Sequence, residues 1–178
     1  MRFTETKVKG AYLIDLEPRE DNRGFFARAW CAREFEAHGL NPRVVQVNVA
    51  HNVKKALLRG LHYQRAPHAE AKTVRCTQGA VFDVVVDLRA DSPTYKRWDG
   101  FDLTSDNRTM LHIPEGCAHG YQTLMNATDI EYLTSAFYAA ESAGGVRFDD
   151  AAFAIDWPLP VSGISDADRS WPDYQGRL

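Results

Sequence analysis

Short stretches of alternating apolar and polar residues recur along this chain, and this period of two constrains its fold more than any other feature. The clearest stretch is 81–88, where Val84 and Val86 belong to an apolar side and Asp83 and Asp87 to a polar one. Successive side chains of a β-strand point to opposite faces, so the stretch predicts a strand with one dry and one wetter face. Further short strands are predicted at 44–49, 72–76, 98–103, 110–113, 120–124, 130–137 and 145–148.

Helical periodicity is scarce by comparison. Residues 32–38 form the best helical candidate, and Gly39 directly after them is a typical C-terminal cap. Residues 139–145 show neither pattern and are predicted to be a loop. Since 178 residues fit one domain of ordinary size, we predict a single all-β domain over 1–178, a sandwich or barrel with a few short peripheral helices.

Composition and charge exclude several classes of function. Hydrophobic residues make up 44% and charged residues 25% of the chain, and no apolar run is long enough to span a bilayer. The first residues lack the apolar core of a signal peptide, so we expect a cytoplasmic protein without a membrane partner. A net charge of −3 disfavours nucleic acid and restricts any anion site to a local pocket. Three widely spaced cysteines, Cys31, Cys76 and Cys117, fit reduced core residues better than disulfides or a zinc site.

Two histidines lie in segments that resemble the two halves of the cupin motif. His62 lies in 58–64, Leu-Arg-Gly-Leu-His-Tyr-Gln, and His119 lies in 113–120 after a Pro-Glu-Gly turn. Metal-binding cupins carry a second histidine two residues after the first, where this chain has Gln64. Two histidines are too few for a stable first-row metal site, so we predict that no metal is bound. On composition alone, His62 is equally well explained as a hydrogen-bonded histidine inside a barrel.

The wider sequence resembles the dTDP-4-dehydrorhamnose 3,5-epimerase family, a branch of the cupins, along nearly the whole chain. The most specific matching string is 58–64. Other strings match in the family's order and spacing, at 21–26, 46–48, 72–76, 84–89, 91–94, 113–116, 118–120 and 155–158. The resemblance implies a cupin-type antiparallel β-barrel, or jelly roll. It also implies that the substrate is a 4-keto-6-deoxy sugar on a nucleoside diphosphate.

The chemistry that the resemblance implies is proton transfer at carbon, without a cofactor. The C4 ketone acidifies the C–H bonds at C3 and C5, so inversion needs a base, a group that stabilises the enolate and a proton donor on the opposite face. By resemblance, His62 is the base, Asp168 orients it, Lys72 stabilises the enolate and Tyr132 donates the proton. Without the resemblance, each of these residues has a simpler explanation. Asp168 would be a loop or helix-cap residue, Tyr132 would be a buried aromatic residue of a strand, and Lys72 would be a solvated lysine.

Seven further residues are implied to bind the substrate. Arg23 and Arg59 match arginines that face the diphosphate, a task that suits the bidentate guanidinium group. The others are Phe26, Gln46 and Asn48 at the nucleoside, Tyr138 near the sugar or base, and His119 at the sugar, for which a structural role is nearly as well supported. In the family, the N-terminal arm reaches into the sheet of a neighbouring subunit, which implies a homodimer.

Departures from the family cluster on the nucleotide side. Arg28 stands where the family has a glutamate, Ala50 replaces a frequent serine, Ala167 replaces a lysine, and 139–140 departs from a Tyr-x-Pro pattern. These changes leave open the nucleotide base, the sugar and whether one or two carbons are epimerised. The alternatives are a 3-epimerase or keto-isomerase of another deoxysugar nucleotide, a metal cupin such as a dioxygenase, and a non-catalytic sugar-nucleotide binder.

Overall fold

The structure, a computed structural model, describes residues 1–176 and contains two antiparallel sheets within them. The elements are β1 (Arg2–Glu5), β2 (Tyr12–Asp15), β3 (Arg19–Asp21), β4 (Gly24–Phe26), α1 (Ala32–Ala37), β5 (Gln46–Asn52), β6 (Leu58–Gln64), β7 (Lys72–Gln78), β8 (Ala80–Asp87), β9 (Trp98–Thr104), β10 (Met110–Ile113), β11 (Cys117–Thr123), β12 (Thr128–Thr134), β13 (Ala143–Gly145) and α2 (Asp166–Arg169). The larger sheet has the order β1-β2-β10-β7-β12-β5, and the smaller has the order β13-β6-β11-β8-β9. Strands β3 and β4 form a separate hairpin. This arrangement confirms the all-β, cupin-type class.

The main core lies between the two sheets. Val74 and Ile130 from the larger sheet meet Val85 and Leu103 from the smaller one, and all four are fully buried. Burial of apolar surface is the main stabilising contribution to such a sandwich. Helix α1 covers part of the outer face of the larger sheet through Phe35.

The outer face of the smaller sheet is also covered, and this changes the expected environment of β8. Val84 and Val86 point away from the other sheet, but Phe153 and neighbouring residues of the C-terminal segment pack over them. Asp83 and Asp87, predicted on a wetter face, are fully buried. The prediction of one wetter face was therefore wrong, because both carboxylates are satisfied by protein groups instead of water.

Helix α1 agrees with the prediction, and Gly39 follows it with a φ of +70°. The predicted loop 139–145 was wrong in its last three residues, which form β13. Of the predicted strand 145–148, only Gly145 belongs to a strand. Strand β13 is Ala-Gly-Gly and has no alternation to detect, yet it pairs with the strand that carries His62.

Cys76 and Cys117 are buried, as expected of core residues, whereas Cys31 is only half-buried. Burial raises the pKa of the Cys76 thiol to about 11, so this residue behaves as a small apolar side chain. Among residues 1–176, no helix is long and apolar enough to cross a membrane.

Candidate active site

A histidine and an aspartate that are distant in sequence form the centre of the site. Strand β6 carries His62 and helix α2 carries Asp168, and His62 Nε2 lies 2.6 Å from Asp168 Oδ1. Ser165 caps α2 by accepting the Asp168 backbone N–H at 3.0 Å, which fixes the direction of the carboxylate. The Asp168 side chain is 8% exposed and that of His62 is 49% exposed. The pair is therefore a buried acid that holds an accessible imidazole.

The protonation of Asp168 follows from its surroundings. Burial by itself would raise the pKa of Asp168, but the hydrogen bond and electrostatic attraction of the His62 ring and the backbone N–H of Gly60 lower it below its ordinary value. The carboxylate is thus ionised at neutral pH and accepts the Nε2–H of His62. This tautomer leaves Nδ1 as the ring nitrogen that can take up a proton, and within residues 1–176 no hydrogen bond occupies it.

Gly60 makes this geometry possible. Its backbone N–H donates to Asp168 Oδ2 at 3.2 Å, and its φ is +114°. The pairing of β6 with β11 shifts register here, and a Cβ atom on Gly60 would lie 2.7 Å from the Gly120 Cα. Only glycine permits both this backbone conformation and this close approach.

Two clefts meet at His62 and Asp168. The larger, of about 500 Å³, is also lined by Lys72, Tyr138 and Trp171. Lys72 is 7% exposed, so it is no ordinary solvated lysine, and its ammonium lies 2.8 Å from Glu70 Oε1.

Arg59 lines the second cleft, of about 400 Å³, with the same histidine and aspartate. Its Nε donates to Asn52 Oδ1 at 2.9 Å, which directs the guanidinium along the end of β5. A positive charge therefore borders one side of the His62–Asp168 pair, and Lys72 borders the other.

Tyr132 lies inside the barrel, beside the imidazole of His119, with a distance of 6.1 Å between ring centroids. Burial, together with the adjacent Tyr121 phenol and the Asp83 carboxylate, raises the pKa of Tyr132 well above its ordinary value. The phenol thus keeps its proton at neutral pH. Asn48 pairs with Tyr132 across the sheet.

His119 is positioned by Asp83, a partner that the sequence did not reveal. Its Nε2 lies 2.9 and 3.1 Å from the two carboxylate oxygens, and both side chains are almost fully buried. His119 is also directly opposite His62 across the β6–β11 pair. Alternation alone had placed Asp83 on a solvated face, and only the pairing of β8 with β11 shows that it faces the barrel interior.

Of the seven expected substrate-binding residues, all within residues 1–176, Arg59 and Tyr138 line the two clefts, and the other five do not: Arg23, Phe26, Gln46, Asn48 and His119. The expected proton donor Tyr132 does not line them either. Arg23 and Phe26 belong to the β3–β4 hairpin, and neither lines the two clefts within the described part of the chain. The Arg23 side chain is 84% exposed and pairs with Asp21 at 2.6 Å, while Phe26 is 74% exposed.

Arg28 also lies apart from the His62 site of its own chain. The sequence analysis counted Arg28 among the departures on the nucleotide side, but its guanidinium binds Glu34 of α1 at 2.9 Å. Glu34 also binds the N-terminal amine. Arg28 therefore attaches the segment after the hairpin to the helix.

Gln64, at the position of a second metal ligand in cupins, is a buried structural amide. Its Nε2 donates to the carbonyls of His68 at 3.0 Å and Phe137 at 3.2 Å, and its Oε1 accepts from the Ala139 N–H at 2.7 Å. It thereby holds two rim segments of the larger cleft. Residues 1–176 contain no cluster of three histidine, cysteine or acidic residues arranged to hold a metal ion.

Gln46 contributes to the same rim. Its Oε1 accepts the Tyr138 backbone N–H at 3.0 Å, which links the start of β5 to the segment that enters the larger cleft. Tyr138 itself is 71% exposed, so its ring is available to a ligand or to another chain.

Fold and site together define a cupin-type barrel whose clefts converge on a histidine–aspartate pair, an arrangement suited to proton transfer. The chain belongs to the dTDP-4-dehydrorhamnose 3,5-epimerase family, whose model matches residues 5–176. It is 40% identical to the dTDP-4-dehydrorhamnose 3,5-epimerase of Methanothermobacter thermautotrophicus over 173 residues, covering 96% of this chain and 92% of the relative.

Two further similarities bear on the reaction. A crystal structure of dTDP-4-dehydrorhamnose 3,5-epimerase from Elizabethkingia anophelis matches with a TM-score of 0.95 and 36% identity, covering 98% of this chain and 97% of the other. A dTDP-4-dehydrorhamnose 3-epimerase of Streptomyces niveus is 37% identical over 170 residues, covering 95% of this chain and 82% of the relative. Enzymes named for one and for two epimerised carbons therefore resemble the chain to a similar degree.

Proposed function

We propose that this protein is an isomerase that epimerises C3 and C5 of a dTDP-linked 4-keto-6-deoxy sugar, the conversion that yields dTDP-4-dehydrorhamnose. The observation that carries the proposal is the His62–Asp168 pair between two clefts, in a chain of this family. Such a pair supplies a positioned base, and the family supplies the substrate class.

His62 Nδ1 takes the proton from the carbon next to the C4 ketone. The imidazolium that forms is stabilised by the Asp168 carboxylate at Nε2, as in other histidine–aspartate pairs. The electron pair of the broken C–H bond moves to the C4 oxygen and gives an enolate, which the Lys72 ammonium stabilises. Tyr132 then delivers its phenolic proton to the opposite face of the same carbon, which inverts the centre.

Substrate binding is assigned to both clefts and to a second copy of the chain. Arg59 faces the diphosphate, and Gln46, Asn48, Tyr138 and His119 keep their expected roles at the nucleoside and sugar.

The dimer is proposed from two exposed apolar regions. Val47 and Val49 on edge strand β5 are 57% and 67% exposed, and Phe26 on the hairpin is 74% exposed. Exposed apolar patches on an edge strand are typical of protein interfaces. In a homodimer, Arg23 and Phe26 complete the cleft of the partner subunit.

Deuterium exchange tests the reaction directly. The protein is incubated in heavy water with dTDP-4-keto-6-deoxyglucose, and deuterium at C3 and C5 is measured by NMR. We expect incorporation at both carbons, abolished in His62→Ala, whereas Tyr132→Phe retains some exchange but loses correct reprotonation. If the wild-type protein incorporates deuterium at neither C3 nor C5, epimerisation of this substrate is excluded.

A 3-epimerase is the second candidate, favoured by the similarity to the Streptomyces niveus enzyme. It predicts exchange at C3 with none at C5, so the same spectrum separates the two reactions. Stoichiometric iron, manganese or zinc in the purified protein would instead favour a metal cupin. The cytoplasmic location stays a prediction, which cell fractionation would test.

A further inference from the structure

Lys72, which stabilises the enolate in the proposed reaction, forms an ion pair with Glu70, a residue without an assigned role in that reaction. The Lys72 ammonium lies 2.8 Å from Glu70 Oε1, and the two side chains are only 8% and 13% exposed. Both residues line the larger cleft together with His62. We propose that Glu70 is a positioning residue that aims the Lys72 ammonium at the C4 oxygen of the substrate, an inference that rests on the proposed function.

Hydrogen bonds of Ala71 fix the backbone between Glu70 and Lys72, so that both side chains lie on the same face of this extended segment. Ala71 donates its N–H to Ser135 Oγ at 2.8 Å, and its carbonyl accepts the Ser135 N–H at 2.9 Å. Residues two apart in an extended segment share a face. Lys72 begins β7 opposite Thr134 of β12, and Tyr132 lies two residues earlier in β12, on the same barrel-facing side. The ammonium, its carboxylate partner and the proton donor therefore share the barrel interior.

Glu70 restricts a side chain that is flexible by nature. Lysine has four rotatable side-chain bonds and three N–H donors. The ion pair with Glu70 restricts the position of the Lys72 ammonium, whose three N–H donors allow it to bind a ligand oxygen in the cleft as well. Glu70 itself lies beside Gln64, with a long contact of 3.5 Å from Gln64 Nε2 to Glu70 Oε2. The Gln64 amide, which holds the rim of the larger cleft, thus also lies beside the Glu70 carboxylate.

The charge of Glu70 matters as much as its shape. A buried ammonium has lost most of its hydration and requires an opposite charge or several acceptors nearby. Negative charge develops on the C4 oxygen only as the C–H bond breaks, so a correctly placed ammonium favours the transition state over the bound ketone. Loss of this placement should lower kcat and leave KM nearly unchanged.

The test compares Glu70→Gln, which keeps the size and one oxygen but removes the charge, with Glu36→Gln on the exposed surface of α1. We expect kcat of Glu70→Gln to fall about tenfold or more with KM within roughly threefold of wild type. Glu36→Gln should match wild type. Wild-type kcat in Glu70→Gln, or a loss confined to KM, would overturn the assignment.

A second measurement needs no turnover. In protein labelled with 13C-lysine, the Lys72 Cε–Hε signal is assigned by its absence from Lys72→Arg. We expect this signal to shift in Glu70→Gln and to stay in place in Glu36→Gln; an unchanged signal in both would show that Glu70 does not position Lys72. If the wild-type protein exchanges no deuterium at C3 or C5, the proposed function fails, and the NMR comparison still decides whether the pair exists.

Discussion

His62 and Asp168 are 106 positions apart in sequence, yet His62 Nε2 lies 2.6 Å from Asp168 Oδ1. The carboxylate reaches this position because α2 lies against β6 and because Gly60 presents its backbone N–H to the second carboxylate oxygen. A base held in this way has one fixed tautomer, in which Nδ1 is the nitrogen that can take up a proton. The pair therefore joins the fold to the proton chemistry.

Asp168→Asn should lower kcat by about 10³-fold, because an amide can hold the ring in the wrong tautomer and cannot stabilise the imidazolium by charge. The measurement is turnover of the dTDP-4-keto sugar, with folding checked by circular dichroism. Asp166→Asn, two residues earlier on the exposed side of α2, is the matched control and should retain wild-type kcat. Near-normal turnover in Asp168→Asn would contradict the role of the pair.

The pH dependence of stability follows from the lowered pKa of Asp168. In the unfolded chain this carboxyl group has its ordinary pKa of 3.8, and in the folded protein it loses its proton more readily. The native state is thus stabilised above pH 3.8, and this contribution disappears as the pH falls through the lower folded-state pKa.

Urea titrations of wild type and Asp168→Asn should therefore differ most near neutral pH and converge in acid. The quantity compared is the free energy of unfolding at each pH, with Asp166→Asn again as the control. A difference that stays constant down to strongly acidic pH would mean that the Asp168 charge does not contribute to stability.

Gly60→Ala should destabilise the protein by roughly 3 kcal/mol or more, because the added Cβ meets the Gly120 backbone at a φ that L-residues avoid. Gly39 is a suitable comparison, since it has a positive φ but open space around its missing Cβ. We expect Gly39→Ala to cost only about 1 kcal/mol. Equal losses in the free energy of unfolding would show that the close approach of β6 and β11 is unimportant.

Local sequence patterns predicted those strands and helices whose own residues show a strand or helix period. The period of two found β8, and the short apolar period with Gly39 found α1. They failed at β13, where small residues are selected by the space under Trp171: a Cβ on Gly145 would lie 2.2 Å from the indole.

Sequence analysis predicted some residues of the candidate site and missed others, again because local patterns do not show contacts between distant parts of the chain. Resemblance brought Asp168 to His62 across the chain, which no local pattern could do. The burial of Asp83 was missed because alternation shows that successive residues lie on opposite faces of a strand, but not which of the two faces is buried. That depends on the partner sheet and on the C-terminal segment, which are distant in sequence.

Mixing two inactive variants should restore activity if Arg23 serves the cleft of its partner subunit. His62→Ala removes the base and Arg23→Ala removes the Arg23 guanidinium of the hairpin, and a mixed dimer has one cleft with both residues intact. After unfolding and refolding of an equimolar mixture, half of the dimers are mixed, so activity should reach about a quarter of the wild-type value. If each hairpin serves its own chain, every cleft in the mixture lacks one residue, and activity will not exceed the mean of the two variants.

Separate refolding followed by mixing controls for subunit exchange, and light scattering reports whether the protein is a dimer at the concentration used.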